Sequence, residues 1–289
     1  MWLFSQMRDR WRPGLFFYYQ QPWVRRRYIS DKRIIIIGGC ERSGSTLLRA
    51  ALDCHPQISA GPESWVFVYK LNLALLSEEY NVPCEVLRDL KGSSTCLSEF
   101  IDLFSELVVA RDNKPIWCEK SPHNIARLSY IWEHFPNAKV IHIIRDGRDV
   151  TCSLRDHPKH RRVGNQYVKT NITHPVKSCI DKWQIAVRAG RRHRGDARYM
   201  EVRYEDLVRN YAAITKKICR HCGVEWNNAI LERTNIQTQK YFREIVNPEV
   251  RQPINSSRIG RWQTDLSADE QRLVYIRAGD LLQELGYQK

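Results

Sequence analysis

The chain has 289 residues, enough for one large α/β domain or two small ones. With 43% hydrophobic and 27% charged residues it has the composition of a soluble globular protein, and no run approaches the roughly 18 apolar residues of a spanning helix. The balance of 46 basic to 32 acidic residues gives a net charge of +14, spread along the whole chain, which points to anionic small molecules or surfaces and away from a basic nucleic-acid tail.

Residues 1–32 read as a basic, aromatic N-terminal arm, with aromatic side chains from Trp2 to Trp23 interleaved with arginines from Arg8 to Arg27. "GLFFYY" is too short and too aromatic for a signal-peptide core, and no small-residue cleavage site follows it. Such an arm either packs on its own domain or lies peripherally on an anionic membrane. Ile34 to Ile37 is fully apolar, β-branched and ends at a double glycine, as a strand buried on both faces of a parallel sheet does. "STLLRAALD" follows with Leu47, Leu48, Ala51 and Leu52 at helical spacing. A turn at "CHPQIS" leads into "GPESWVFVYK", and from Leu71 to about Asp112 the pattern is helical, broken near Pro83 and "KGSS".

"PIWCEKSP" reads as a strand ending at Lys120, and Pro122 opens a helix that "HNIARLSYIWEHF" continues. Lys139 to Ile144 is the second clear buried strand; a charged turn at Arg145 and a helix from about Arg148 follow. "CIDKWQIAVRAGRRH" is a long amphipathic helix, and "ARYMEVRYEDL" is a third strand running into a helix. The closing helix begins at Ser267, its N-cap, with Glu270 at the capping-box position. Strands alternating with helices predict a three-layer α/β fold with a mainly parallel sheet, one domain over residues 33–289. The nine scattered cysteines suit a reducing, cytoplasmic setting. Cys219 and Cys222 have zinc-ligand spacing but lack a second pair, so no metal site is expected.

Ligands of open α/β sheets bind at the carboxyl ends of the strands. The first strand leads into "GGCERSGST", in which Gly39, Gly44 and Thr46 match the phosphate-loop pattern G-x-x-x-x-G-K-[ST]. Ser45 stands where that loop has its lysine, and Arg42 lies inside it. The segment after "CHPQIS" offers Glu63, and beyond the other strands come Lys120, Arg145 with Arg148 and Ser153 on the next helix, and Arg203 with Tyr204. Kinases and ATPases use the loop lysine and a strand-end carboxylate that binds Mg²⁺; here that strand ends in Arg145, although Asp146 is next. A transferred phosphoryl group carries two charges at neutral pH and a sulfuryl group one. The second can be moved by backbone N–H groups, hydroxyls and one or two cations, without a metal.

The motifs "GGCERSGSTLLRAALDCHPQISAGPES", "CEKSP", "FPNAKVIHIIRDGRDV" and "INSSRIGRWQTDL" resemble, in order and spacing, the sulfotransferases that use 3′-phosphoadenosine-5′-phosphosulfate (PAPS), and most of all the tyrosylprotein sulfotransferases and their bacterial relatives. The resemblance covers roughly Ile34 to Tyr287. It implies that Arg42, Ser43, Gly44, Ser45 and Thr46 form the 5′-phosphosulfate loop, and that Arg145 and Ser153 bind the 3′-phosphate. It implies donor contacts for Tyr204 and Arg261, a catalytic base at Glu63, and a lysine, Lys120, at the leaving oxygen, with Arg42 sharing that work. The co-substrate is then PAPS, the partner a hydroxyl acceptor on a carbohydrate, lipid, small molecule or tyrosine, and no metal is needed.

The chain departs from the tyrosylprotein pattern in places. Where those enzymes carry arginines after the catalytic glutamate, this chain has Trp65 and Tyr69, an aromatic wall that suits a sugar, a lipid headgroup or an aromatic alcohol better than an acidic peptide. A cysteine that pairs with the position of Cys118 in Golgi enzymes is Ala60 here, and a further 3′-phosphate arginine falls at His157, so that Arg155 or His157 substitutes. Read structurally, Glu63 caps a helix, Lys120 is a solvated turn lysine, Arg145 pairs with Asp149 or Glu119, and Tyr204 is packing. Trp132, Trp183 and Trp262 read as core, and His55 and His142 as core or turn residues. The rival functions are a nucleotide kinase or NTPase and a non-catalytic anion-binding domain. No pattern specifies an oligomer.

Overall fold

The computed structural model describes residues 27–157, 159–163, 166–170, 173–231, 254 and 256–287. The question of the N-terminal arm falls largely outside the described residues. Its last part is described, and it packs on the domain: Tyr28 and Ser30 donate from their hydroxyls to Asp102, and Lys32 pairs with Asp102 and with Glu106 at 2.7 Å.

The sheet begins with β1 (Ile34–Gly39), which leads through the glycine loop into α1 (Ser45–Asp53) and then β2 (Ile58–Ala60). Three helices follow, α2 (Leu73–Tyr80), α3 (Cys84–Ser93) and α4 (Leu97–Asp112). β3 (Ile116–Lys120) leads into a 3₁₀ turn, Pro122–Ala126, and α5 (Leu128–His134). After β4 (Lys139–Ile144) come α6 (Gly147–Arg155), the hairpin β5 (Lys159–Val163) and β6 (Gln166–Thr170), and α7 (Val176–Arg191). β7 (Tyr199–Arg203) runs into α8 (Tyr204–Arg209) and α9 (Tyr211–Cys222); α10 (Trp262–Asp265) and α11 (Ala268–Glu284) end the described chain. None of the described helices is long and apolar enough to cross a membrane.

The five strands β2, β3, β1, β4 and β7 pair in that order, all parallel. Successive side chains of a strand point to opposite faces. Ile34 and Ile36 therefore enter a core with Phe100, Phe104 and Trp117, while Ile35 and Ile37 enter another with Leu48, Ile143 and Ile218. A third cluster, which includes the fully buried Trp183, joins α6, α7 and α11. This is the three-layer arrangement that the alternating elements predict.

Several boundaries follow the sequence reading: β4 spans the expected residues, β3 ends at Lys120, and α11 carries the full capping box between Ser267 and Glu270. Four features depart from it. β2 lies where a turn was expected; its three residues gain their strand geometry from pairing with β3. Pro122 does not open one continuous helix. Asn124 donates to Glu119, a 3₁₀ turn closes through Arg127 N–H to Asn124 at 2.8 Å, and α5 starts afresh. The turn packs so closely on β1 that a Cβ at Gly38 would lie 2.9 Å from the Ile125 nitrogen. α9 was not anticipated, and neither was the antiparallel hairpin between Asp156 and Pro175. Trp132 and Trp183 are core as expected; Trp262 is only half-buried, with the Arg148 guanidinium 4.0 Å above its ring.

Candidate active site

The register of the parallel strands brings their carboxyl ends to one edge. Ile37 of β1 lies opposite Lys120 of β3 and Ile141 of β4, and Ile144 lies opposite Arg203 of β7. The glycine loop, Glu63, Lys120, Arg145 and Tyr204 all leave the sheet along this edge.

The loop turns through two left-handed residues, Arg42 at φ 68° and Gly44 at φ 96°. Gly44 is the N-cap of α1 and no side chain caps that helix, so the first N–H groups of α1 are left to another acceptor. A Cβ at Gly44 would lie 2.5 Å from the Tyr204 ring, so only glycine allows this approach. The Ser43 hydroxyl is buried inside the loop with no hydrogen-bond partner among the described residues. Ser45 is buried and Thr46 half-buried on the first turn of α1. Uncapped N–H groups, the helix dipole and an unpaired buried hydroxyl fit an anion such as a 5′-phosphosulfate.

Arg42 links this loop to the next element. Its Nε donates to Ser153 on α6 at 3.0 Å, and its carbonyl accepts from Arg145 at 3.3 Å. Arg145 is buried, stacks 4.6 Å from the Tyr204 ring centre, donates to the Arg258 carbonyl and lies 3.7 Å from Asp149. The Asp149 alternative is therefore present, whereas Glu119 is engaged elsewhere. Arg145 Nε has no partner among the described residues. Ser153 meets Arg42, and Arg42 stands as the bridge between Ser153 and Arg145. Tyr204 is 8% exposed and lies between Gly44 and Arg145; burial pushes its hydroxyl pKa up, and Arg145 works against that shift. Arg261 points to two carboxylates, Asp265 at 2.5 Å and Asp156 at 3.3 Å. Its turn reaches the site through Asp149, which accepts from the Gly260 and Trp262 N–H groups at 2.9 and 3.1 Å. Arg155, a candidate for the 3′-phosphate, is held by Asp156 and Glu270, each at 2.9 Å.

On the other side of the loop, Lys120 Nζ donates to Glu63 Oε1 at 2.6 Å. The Lys120 side chain is 6% exposed and that of Glu63 25%, so the lysine is no solvated turn residue and the carboxylate can be reached. Glu63 caps no helix, because the next helix, α2, starts at Leu73 and has Asn72 as its cap. Trp65, at φ 59°, packs against Tyr69 at 5.3 Å and His123 at 5.5 Å, making an aromatic wall two residues from Glu63. Burial pushes the His123 pKa down, while Glu41 and Glu63 pull it up, so the glycine loop and Glu63 share one electrostatic environment.

Two residues that the sequence reading named only as possible partners of Arg145 organise this edge. Asp149 ties Arg145 to the 260–262 turn. Glu119, fully buried, ties the loop after Glu63 to the turn after Lys120. No group of three metal-ligating His, Cys, Asp or Glu side chains occurs among the described residues, and no disulfide is formed among them. His55 and His142 are buried; His142 accepts or donates at Tyr199 and is pushed down to about 3 by burial.

The solved sulfotransferase domain of the Synechococcus PCC 7002 olefin synthase superposes with a TM-score of 0.63 at 21% identity, over 90% of this chain and 98% of that one, and so shares the fold. A Drosophila melanogaster protein-tyrosine sulfotransferase is 29% identical over 90% of this chain, and protein-tyrosine sulfotransferase 1 of Danio rerio is 26% identical over 90%. The chain spans 52% of the length of the first relative and 74% of the second. The profile described as "Sulfotransferase family" matches residues 34–228, more than half of the 289 residues, and the chain therefore belongs to the sulfotransferase family.

Proposed function

We propose that the protein transfers a sulfuryl group from PAPS to a neutral hydroxyl acceptor and releases adenosine 3′,5′-bisphosphate. The observation that carries this reading is the Glu63–Lys120 pair, a reachable carboxylate held 2.6 Å from a buried ammonium beside a lysine-free phosphate loop. Glu63 takes the proton of the attacking hydroxyl as a new S–O bond forms. The bond from sulfur to the bridging phosphate oxygen breaks, and Lys120 donates to that oxygen as charge develops on it. The N–H groups at the start of α1 and the hydroxyls of Ser43, Ser45 and Thr46 hold the phosphosulfate, with Arg42 at the mouth of the loop. Arg145 and Ser153 take the 3′-phosphate, Tyr204 supports Arg145, and Arg261 completes the donor side from its turn.

The family membership supports the reaction class. The wall of Trp65, Tyr69 and His123 supports an acceptor that presents an aromatic or sugar face, because such faces stack on aromatic rings whereas acidic flanks gain nothing from them. The names of the relatives favour a tyrosine hydroxyl, which is itself phenolic. The three cores on one sheet support residues 33–289 as a single domain with residues 1–32 as an arm. Cys118, which lies opposite Ala60 in the sheet where a cysteine partner would stand, supports a reducing compartment.

The test uses ³⁵S-labelled PAPS with four probes: 2-naphthol, an alkyl galactoside, a tyrosine peptide with neutral flanks and the same peptide with acidic flanks. Label should pass to the neutral probes and least to the acidic peptide. Preference for the acidic peptide would overturn the acceptor assignment. Magnesium-dependent ATP turnover with no use of PAPS would overturn the reaction itself.

A further inference from the structure

Glu119 is a charged residue with no exposure, one position before Lys120. Its carboxylate accepts five hydrogen bonds. Oε1 takes the Ser64 N–H at 3.2 Å, the Ser64 hydroxyl at 2.8 Å and the Ser121 hydroxyl at 2.6 Å. Oε2 takes the Ser121 N–H at 3.1 Å and the Asn124 amide. Ser64 follows Glu63 and Ser121 follows Lys120, so one carboxylate fixes the backbone on both sides of the reacting pair. The Ser121 hydroxyl in turn accepts the Trp65 N–H at 3.1 Å. That bond holds Trp65 in a left-handed conformation, unusual for so large a side chain, and with it the aromatic wall.

A buried carboxylate is a costly way to join two loops unless its geometry is needed. An amide cannot replace it. Two of the donors, the Ser64 and Ser121 N–H groups, are fixed and cannot become acceptors. In Glu119→Gln the new NH₂ would face one fixed donor whichever way the amide lies, the Ser64 N–H in place of Oε1 or the Ser121 N–H in place of Oε2. Asn124 can turn its amide, since its Oδ1 has no partner among the described residues, but the Ser121 N–H cannot turn.

We propose that Glu119 is the positioning residue of this site: its carboxylate sets the placement of Glu63, Lys120 and the Trp65 wall without touching either substrate. This rests on the reading that Glu63 and Lys120 carry the chemistry. Displacing a reacting group by about 1 Å costs on the order of 10²-fold in rate.

The experiment compares Glu119→Gln with Val108→Ala, a core truncation away from the edge, in transfer from ³⁵S-PAPS to 2-naphthol. Glu119→Gln should lower kcat about 10²-fold. Its affinity for adenosine 3′,5′-bisphosphate and its KM for 2-naphthol should change far less, and Val108→Ala should leave kcat unaltered. Groups that act as a unit are not additive, so on a Glu63→Gln background the same change should cost about threefold or less. Hydrogen exchange should quicken in peptides spanning 61–69 and 116–124 but not in 40–48. Should Glu119→Gln fail to fold, Ser64→Ala and Ser121→Ala each remove one strap and should give smaller losses of the same kind. A kcat equal to wild type, or an equal loss on the Glu63→Gln background, overturns the proposal. If the wild type moves no label to any probe, the functional reading fails instead, and unchanged exchange in the two peptides would then refute the clamp by itself.

Discussion

Gly44→Ala tests the packing that joins the glycine loop to the donor side. Gly44 has φ 96°, and an added Cβ would lie 2.5 Å from Tyr204 Cδ2, 3.0 Å from Cε2 and 3.5 Å from Ile143 Cδ1. Two costs follow. The left-handed backbone disfavours alanine by about 1–2 kcal/mol. Overpacking against a buried ring adds about 1–3 kcal/mol. Together the substitution should destabilise the protein by about 2–5 kcal/mol, a large share of a typical domain's stability. Tyr204 lies under Arg145, so any relief of the clash also moves the cation assigned to the 3′-phosphate. Affinity for adenosine 3′,5′-bisphosphate should therefore fall as well. The assay is urea denaturation of four proteins: wild type, Gly44→Ala, Tyr204→Val and the double variant, with calorimetric titration of the nucleotide. Valine lacks the Cδ2 and Cε2 atoms, so the overpacking part should vanish in the double variant and leave only the backbone part. A Gly44→Ala midpoint equal to wild type, or the same loss with and without the Tyr204 ring, would refute the reasoning.

Arg145→Ala should weaken adenosine 3′,5′-bisphosphate more than tenfold beyond any effect on 5′-AMP, from about 1.5–3 kcal/mol for a charge-assisted hydrogen bond; calorimetry reads both, and equal losses would mean that Arg145 only holds the Arg42 and Arg258 carbonyls. Asp196 accepts from Arg198 at 2.7 and 3.0 Å, which holds its pKa down to about 2. Its folded value lies below the unfolded value of about 3.9, so its contribution is present above about pH 4 and fades as pH falls through about 2. Both side chains are near one-third exposed, and the contribution is under about 1 kcal/mol. Asp196→Asn should therefore be less stable than wild type at pH 6 by urea denaturation, and the gap should narrow toward pH 2; a constant gap contradicts the assignment.

The sequence made β1, β3 and β4 plain because their apolar runs end at glycine or charge, and a strand buried on both faces allows no alternation. β2 escaped because three residues carry no period, and pairing with β3 made the strand. α9 was legible in principle: Thr215, Ile218, Cys219 and Cys222 are its buried face at spacings of three and four, but the two cysteines drew a zinc comparison first. The glycine loop, Lys120 and Arg145 could be placed because each lies at the end of a legible strand, whereas Glu63 was placed by the motif resemblance. Glu119 was legible only as a possible partner of Arg145, whereas it binds Ser64, Ser121 and Asn124. Its burial depends on Ser64, fifty-five residues away in the chain, and on the turn that holds Asn124. Arg261 followed a motif, but its carboxylate partners Asp156 and Asp265 appear only in the folded chain.

The central claim is that Glu63 is the base of a sulfuryl transfer. The most direct measurement is the initial rate of ³⁵S transfer from PAPS to 2-naphthol by wild type and Glu63→Gln, with the affinity of each for adenosine 3′,5′-bisphosphate measured alongside. General-base catalysis predicts a rate loss of about 10²–10⁴-fold with nucleotide affinity retained. An unchanged rate in Glu63→Gln would contradict the account.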